Sequence, residues 1–423
     1  MEPDEKYVLV MFPYPSGDGL HVGHCYNYSI MDSYCRWLRH KGEKVFQPFG
    51  YDAFGLPAEN YARKHGRDPR EVTYENIDKF RVQMQTMNTH FEEKLVTSDK
   101  SFYKWSQWIF IKLLEKKLAY KKVAPVNYCS SCETVLANEQ VKEEKCERCG
   151  TKVEVKELNQ WFFKITDYKD RLIKNLETLD YPEKTKKQQL HWLEKLNDWC
   201  VSRQRKWGTP IPLDAETDTL DTFVDSSFYY LRYLTDDPVN FLPKEKYKQV
   251  DLYVGGNEHA CMHLIYARFI NMFLYDLGIV EHEEPFKKLI HQGMILKDGE
   301  KMSKTKGNVV NPDNYNPDEI RFYLMFLGHY FDGGNWSDQH IIGIKKFLNR
   351  WDLWTTKEGT ESIDITEFEK MIDNFTRSFK FNKVVSSFME FYNQNKNKSL
   401  DETTRKKLRE TISCFAPTRF EIK

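Results

Sequence analysis

Charge of neither sign predominates in this sequence: 63 lysines and arginines are matched by 63 aspartates and glutamates over 423 residues. Overall charge therefore gives no argument for a nucleic acid or an anionic surface as partner, although a local basic patch stays compatible with one. Long apolar runs are missing as well. No stretch approaches the roughly 18 residues that a membrane helix needs. The acidic start, Met1 to Glu5, lacks the basic segment and apolar run of a secretory signal. Five of the nine cysteines (Cys25, Cys35, Cys200, Cys261 and Cys414) are scattered, and an odd remainder makes no disulfide framework. Repeats and low-complexity tracts are absent. These absences predict a cytoplasmic protein with no membrane partner, expected as a monomer. The 40% hydrophobic content, with many aromatics, predicts a folded chain of two to three domains.

What is present has a recognisable order. Tyr7 to Phe12 is a short apolar run that reads as a buried strand, Pro13 to Gly19 as a turn, and His21 to Arg39 as a helix. Strand, turn and helix in this order open a nucleotide-binding α/β sheet. Val45 to Phe49 suggests a second strand, and Tyr74 to Tyr120 a largely helical stretch. Asp251 to Val254 is a strand entering the Gly255-Gly256 turn, and Leu289 to Leu296 a last strand before a polar loop through Asn308. Two stripes at helical spacing predict helices in the tail: Phe368, Ile372, Phe375, Phe379, and then Phe381, Val385, Phe388, Tyr392.

Between Val123 and Lys156 the chain changes character, becoming charged and losing helical period. Cys129-Ser-Ser-Cys132 and Cys146-Glu-Arg-Cys149 form two C-x-x-C pairs separated by thirteen residues. Two such knuckles place four thiolates around one ion, and Zn2+ is the usual occupant. With four protein ligands the role is structural, since the metal folds a patch too small to fold alone.

Two further motifs suit a polyphosphate. His21-Val-Gly-His24 stands where the first helix begins, and a helix start concentrates unpaired N–H groups and partial positive charge. Imidazoles three residues apart share a helix face, and Gly23 lets a ligand approach the backbone. A histidine pair at such a place also occurs as a plain cap. Lys301-Met-Ser-Lys-Thr-Lys-Gly-Asn308 lies in the polar loop after the last strand, where lysines neutralise charge on a departing pyrophosphate. Taken singly, most lysine runs are only solvated loops. In this order and on these elements, the two motifs strengthen each other.

The pair resembles the HIGH and KMSKS signatures of class I aminoacyl-tRNA synthetases, with Thr305 at the last signature position. Within that class, five segments resemble the leucine enzymes: Met11 to Gly17, Gly50 to Asn60, Val201 to Gly208, Asp221 to Tyr230 and Gly255 to His259. The cysteine module resembles theirs too, including Thr134 to Val141. The Asp52 to Pro57 segment argues against a methionine enzyme.

The resemblance implies an α/β fold with a Rossmann-like parallel sheet, an inserted zinc module and a shortened C-terminal helical bundle. It divides the chain at 1–122, 123–160, 161–310 and 311–423: first catalytic half, zinc module, connective segment with second catalytic half, and stem-contact segment with helices. The implied activity is joining leucine to ATP as leucyl-adenylate and transferring it to tRNA(Leu), with ATP, Mg2+ and structural Zn2+ as cofactors. His21, His24, Lys301 and Lys304 hold the triphosphate; Gly23, Gly255, Gly256, Glu258, Gln292, Met294 and Ser303 complete the ATP site. Asp52 takes the leucine ammonium. Met11, Phe12, Tyr14, Phe223, Ser226, Tyr229, Tyr253, His259 and His263 form the rest of that pocket.

The sequence departs from the leucine pattern in three places. Gln189 to Trp199 leaves almost no room for the large hydrolytic editing domain that family members usually carry, which predicts charging without post-transfer editing. The stretch from Pro212 to Asp221 is shortened, and the family's C-terminal tRNA-contacting domain is expected to be missing. The last departure keeps a rival reading open, a paralogue that passes activated leucine to a carrier protein or small molecule.

Overall fold

Four short strands make a parallel sheet in the order Leu289–His291, Leu252–Gly255, Lys6–Val10, Val45–Phe46. The computed structural model describes residues 4–15, 19–136, 140–147, 149–302 and 307–420, with the backbone alone at Pro57. Strand side chains alternate between faces, and here both faces are apolar. Val8, Val10, Leu252, Val254 and Ile290 enter one hydrophobic cluster, while Tyr7, Leu9, Tyr253 and Leu289 enter another. A parallel sheet buried on both sides explains why its strands read as continuous apolar runs.

Helix Val22–His40 leaves the first strand and packs into the first cluster. Its Asp32 is buried with Arg321 at 2.6 Å and Arg36 at 2.9 Å, which ties it to helix Pro317–Phe326. Burial alone would raise the Asp32 carboxyl, but the two guanidiniums hold it below the usual carboxylate range. Helix His263–Asp276 fills the second cluster on the opposite face.

Two expected elements differ. The stretch from Tyr74 to Tyr120 is not one helical block: helix Pro69–Thr86 ends, strand Glu92–Val96 follows and pairs in parallel with Pro48–Tyr51, and helix Lys100–Glu115 comes after. Asn88, at φ 48°, breaks the helical run. Glu92, Glu93 and Lys94 are exposed, so no apolar alternation announced the strand. Leu289 to Leu296 is not one strand either. The chain leaves the main sheet after His291, and Met294–Lys297 pairs with Gly333–Trp336 and Glu300–Lys301. Where the chain departs, Gly293 lies close against the turn before Gly333–Trp336, and a Cβ there would lie 2.0 Å from the Gly333 nitrogen.

Strands Ala119–Cys129 and Glu154–Phe163 form a long antiparallel ribbon that carries the cysteine knuckles beyond its tip. The tail is helical as expected, through Asp338–Thr356, Thr366–Arg377, Phe381–Asn395 and Glu402–Ser413. Phe379 stands between two of these helices at φ 57° and is buried with Phe368, Ile372, Phe381, Val385 and Phe388. Among the described residues, no helix is long and apolar enough to cross a membrane.

Candidate active site

The histidine motif begins its helix by capping it. His21 is the N-cap: its Nδ1 accepts from the Gly23 N–H at 3.0 Å, and the Nδ1 of His24 accepts from the His21 N–H at 3.2 Å. This is a reciprocal box built from imidazoles rather than hydroxyl and carboxylate. Because each Nδ1 is an acceptor, a neutral ring carries its hydrogen on Nε2. The rings lie 4.0 Å apart. Gly23 has a reason beyond ligand approach, since a Cβ there would stand 2.8 Å from the His21 ring.

Both histidines line a cleft of about 910 Å³ at the carboxyl ends of the parallel strands. Gly23, Gly256, Glu258, Gln292, Met294 and Lys301 share its walls. The crevice beyond the strand ends is where open α/β sheets bind ligands. Gly255 closes the strand behind it, and Ser303 and Lys304 lie outside the described residues. Among the described residues, nothing donates to the buried Oε1 of Gln292.

A second cleft of about 700 Å³ opens from the first, and the two share Gly23, His24, Gly256, Glu258, Gln292 and Lys301. Met11, Phe12, Tyr14, Phe223 and His259 line it. Beneath them, three distant segments meet in a buried hydrogen-bonded chain. The hydroxyls of Tyr229 and Tyr253 are 2.7 Å apart, Tyr253 reaches Nε2 of His263 at 2.7 Å, and Nδ1 of His263 reaches the Ser226 hydroxyl at 3.2 Å. Burial pushes His263 down to about 3, so the ring is neutral. Phe12 stacks on Tyr229 at 3.9 Å.

Asp52 sits behind the Pro13 edge of this cleft, its N–H donating to the Pro13 carbonyl at 3.0 Å. Its side chain is 1% exposed and accepts only a long bond, 3.4 Å, from the Thr97 hydroxyl. Burial, and next the negative charge of Asp225, push its carboxyl well above the usual range.

The sulfur atoms of Cys129, Cys132, Cys146 and Cys149 all lie within 4.8 Å of one another. Tetrahedral Zn–S bonds of about 2.3 Å set sulfurs roughly 3.8 Å apart, so the four residues fit that metal. Among the described residues they are the only group of three or more metal-ligand side chains gathered in this way.

Several site residues carried no signal in the sequence. His291 lines the first cleft, held by the Gly255 carbonyl and the Thr185 hydroxyl at 2.8 Å each, and Lys184 lines it too. Asp225 is fully buried; Ser106 and Thr209 donate to its Oδ1 at 2.5 and 2.9 Å, while Oδ2 has no partner among the described residues. Burial pushes its carboxyl up to about 7. It stands next to Ser226 in the segment read for its aromatics and hydroxyl, and only burial distinguishes it.

A family model described as tRNA synthetases class I (M) matches residues 6–346. The leucine–tRNA ligases of Clostridium kluyveri and a Clostridium botulinum strain are each 32% identical, aligned over 685 and 681 positions; the alignments cover 97% of this chain and 84% of each relative. An alignment longer than the 423-residue chain means that long stretches of those relatives have no counterpart here. A solved LeuRS of Agrobacterium radiobacter K84, in ternary complex with tRNA and LeuAMS, superposes with a TM-score of 0.88 at 25% identity, covering 99% of this chain and 85% of that one. A Mycobacterium tuberculosis methionyl-tRNA synthetase reaches 0.77 at 20%, a likeness of fold alone. The family model's methionine label thus describes the shared catalytic fold, and the higher identities are to leucine enzymes. The chain belongs to the class I aminoacyl-tRNA synthetases and, within them, to the leucine–tRNA ligase family.

Proposed function

We propose that this chain activates leucine with ATP and transfers it to tRNA(Leu), without post-transfer editing. The observation that carries the reading is the junction of the two clefts at His24, Glu258, Gln292 and Lys301. A ligand lying across that junction brings the α-phosphate of ATP beside the carboxylate of the amino acid.

A free amino-acid carboxyl has a pKa of ~3.5, so the nucleophile is already ionised at neutral pH. Its oxygen bonds to the α-phosphorus and the bond to the bridging oxygen breaks, releasing pyrophosphate. No general base is required. The residues align two anions and stabilise the charge that moves to the leaving group. Nε2–H groups of His21 and His24 and the Lys301 ammonium supply that stabilisation, with Lys304 assigned the same role by its motif. Glu258 accepts from the ribose hydroxyls, and the Gln292 carbonyl, which has no donor among the described residues, accepts from the nucleotide. Mg2+ bound with the nucleotide would neutralise phosphate charge beside the same His21, His24 and Lys301. Asp52 receives the leucine ammonium, whose charge relieves that of a buried carboxylate. Cys129, Cys132, Cys146 and Cys149 hold structural zinc.

The absence of editing is supported by the segment before Val201. It contains only short elements, Ile165–Tyr168, Lys169–Asn175, Glu183–Glu194 and Trp199–Cys200. Gln189 pins the last of these to the core through the Ala260 carbonyl and Arg268 at 2.9 Å each. A pocket alone separates side chains differing by one methylene by only ~10–200-fold, so near-isosteres of leucine are charged at a measurable rate.

Leucine-dependent pyrophosphate exchange, run beside charging of bulk tRNA, tests the reading. Both activities are expected. Exchange without charging would instead favour transfer to a carrier protein or small molecule, and deacylation of norvalyl-tRNA would remove the editing claim.

A further inference from the structure

One short stretch of chain joins the amino-acid pocket to the cysteine cluster. After Asp52 come three buried residues, Ala53, Phe54 and Gly55. Helix Leu56–His65 follows at once, and Leu56 is buried among Cys129, Cys132, Leu136 and Cys146. One turn further on, Nδ2 of Asn60 donates to the sulfur of Cys132 at 3.8 Å. Arg63 donates to the Ser131 carbonyl at 3.0 Å and pairs with Glu133 at 3.9 Å, beside the same knuckle. The other side of the helix is clamped as well. Glu59 accepts the N–H groups of Lys206 and Trp207 at 3.0 Å each, and the Trp207 indole donates to the Ala53 carbonyl at 2.7 Å.

This arrangement works as a lever with the ammonium acceptor at one end and a metal-ligand sulfur at the other. Four thiolates around one Zn2+ carry a net charge of −2, so a donated N–H stabilises the cluster and orients its sulfur. Without metal, the thiols lose the geometry that gives Asn60 a fixed acceptor. Helix Leu56–His65 then loses that anchor and keeps its packing on helix Pro69–Thr86 with the Arg63 and Glu59 contacts, and three buried residues join it to Asp52.

We propose that Asn60 is a positioning residue coupling the two sites, so that metal at the thiolates and an α-amino acid at Asp52 tighten each other's binding. The inference rests on the reading of Asp52 as ammonium acceptor and of the cysteines as a zinc site. Coupling of this kind is reciprocal in affinity, which makes it measurable from either end.

The experiment measures zinc affinity of the full chain by competition with a chromogenic chelator, with and without saturating leucine, and leucine affinity by calorimetry with zinc loaded or stripped. Leucine is expected to raise zinc affinity about 5–10-fold, and zinc to raise leucine affinity by the same factor. Asn60→Ala is expected to weaken zinc binding by about 10-fold and to abolish the leucine dependence. Arg63→Ala, which leaves the sulfur contact intact, keeps that dependence. The proposal is overturned if leucine leaves wild-type zinc affinity unchanged, or if Asn60→Ala preserves the full effect. In either of those results leucine binding and zinc content persist. A protein that binds no leucine or holds no zinc overturns the functional reading itself, and the coupling with it.

Discussion

The two halves of the active site are built on opposite physical plans. The cleft proposed for ATP is lined by a helix start, imidazoles and lysines; the one proposed for the amino acid runs between aromatic walls, with the hydroxyls and imidazole of Tyr229, Tyr253, His263 and Ser226 tied to each other beneath it. A polyphosphate brings its own charge and needs donors arranged around it, so flexible cations at the rim suffice. A leucine brings one ammonium and a branched apolar side chain, so selection needs a carboxylate held out of water and a rigid wall. If this contrast is right, substitutions in the cleft lower the rate of activation, and substitutions in the pocket raise the leucine requirement.

The largest separation is expected from the two charged ends. His24→Ala should lower kcat for pyrophosphate exchange by about 10²–10³-fold, the usual cost of one preorganised donor, with leucine affinity from calorimetry little changed. Asp52→Asn should do the reverse, raising the leucine KM by about 10²-fold or more as a buried charge pair is lost, while ATP binding persists. Equal effects on both parameters from both variants would break the distinction.

The pH profile sharpens it. Asp52 has a raised pKa in the free protein, so a proton must leave before the ammonium can be paired. Leucine KM therefore rises as pH falls through that raised value, and Asp52→Asn removes the dependence. Fluorescence titration of leucine across pH checks this.

Asp225 offers a stability test. Its carboxyl is raised to about 7 by burial, so the folded chain binds a proton that the unfolded chain releases near the ordinary carboxylate value of 3.8. Stability consequently falls as pH rises from about 4 to 7. Asp225→Asn should be more stable than wild type above pH 7, by up to a few kcal/mol, and lose that advantage near pH 4; denaturant melts at the two pH values measure it.

The smallest effect belongs to Tyr253→Phe, which leaves the Tyr229 hydroxyl and His263 without their shared partner. A cost of about 1 kcal/mol is expected for the unpaired buried groups, seen as a roughly five-fold rise in leucine KM with kcat kept.

The same contrast explains what was legible in the sequence. His21 to His24 could be read because the cap, the helix start and the two cleft-lining rings occupy four consecutive residues. The cysteine quartet was equally local. By comparison, the pocket draws Phe12, Asp52, Tyr229, Tyr253 and His263 from segments far apart in the chain, and only the family resemblance collected them. Asp225 escaped because a buried carboxylate next to two serines looks like any helix-start acid until its surroundings are known. The strand Glu92–Val96 escaped for a similar reason: it lies at an edge, its outer residues are charged, and its one partner is 44 residues away along the chain.

The central claim is that one ligand spans both plans, its phosphate at the imidazoles and its ammonium at Asp52. The most direct measurement is a crystal structure with a non-hydrolysable leucyl-adenylate analogue. The account predicts the phosphate mimic within about 3 Å of Nε2 of His21 or His24 and the ammonium within about 3 Å of the Asp52 carboxylate, both at hydrogen-bond distance. An analogue bound with its amino group away from Asp52, or with its phosphate mimic outside the histidine cleft, would contradict it.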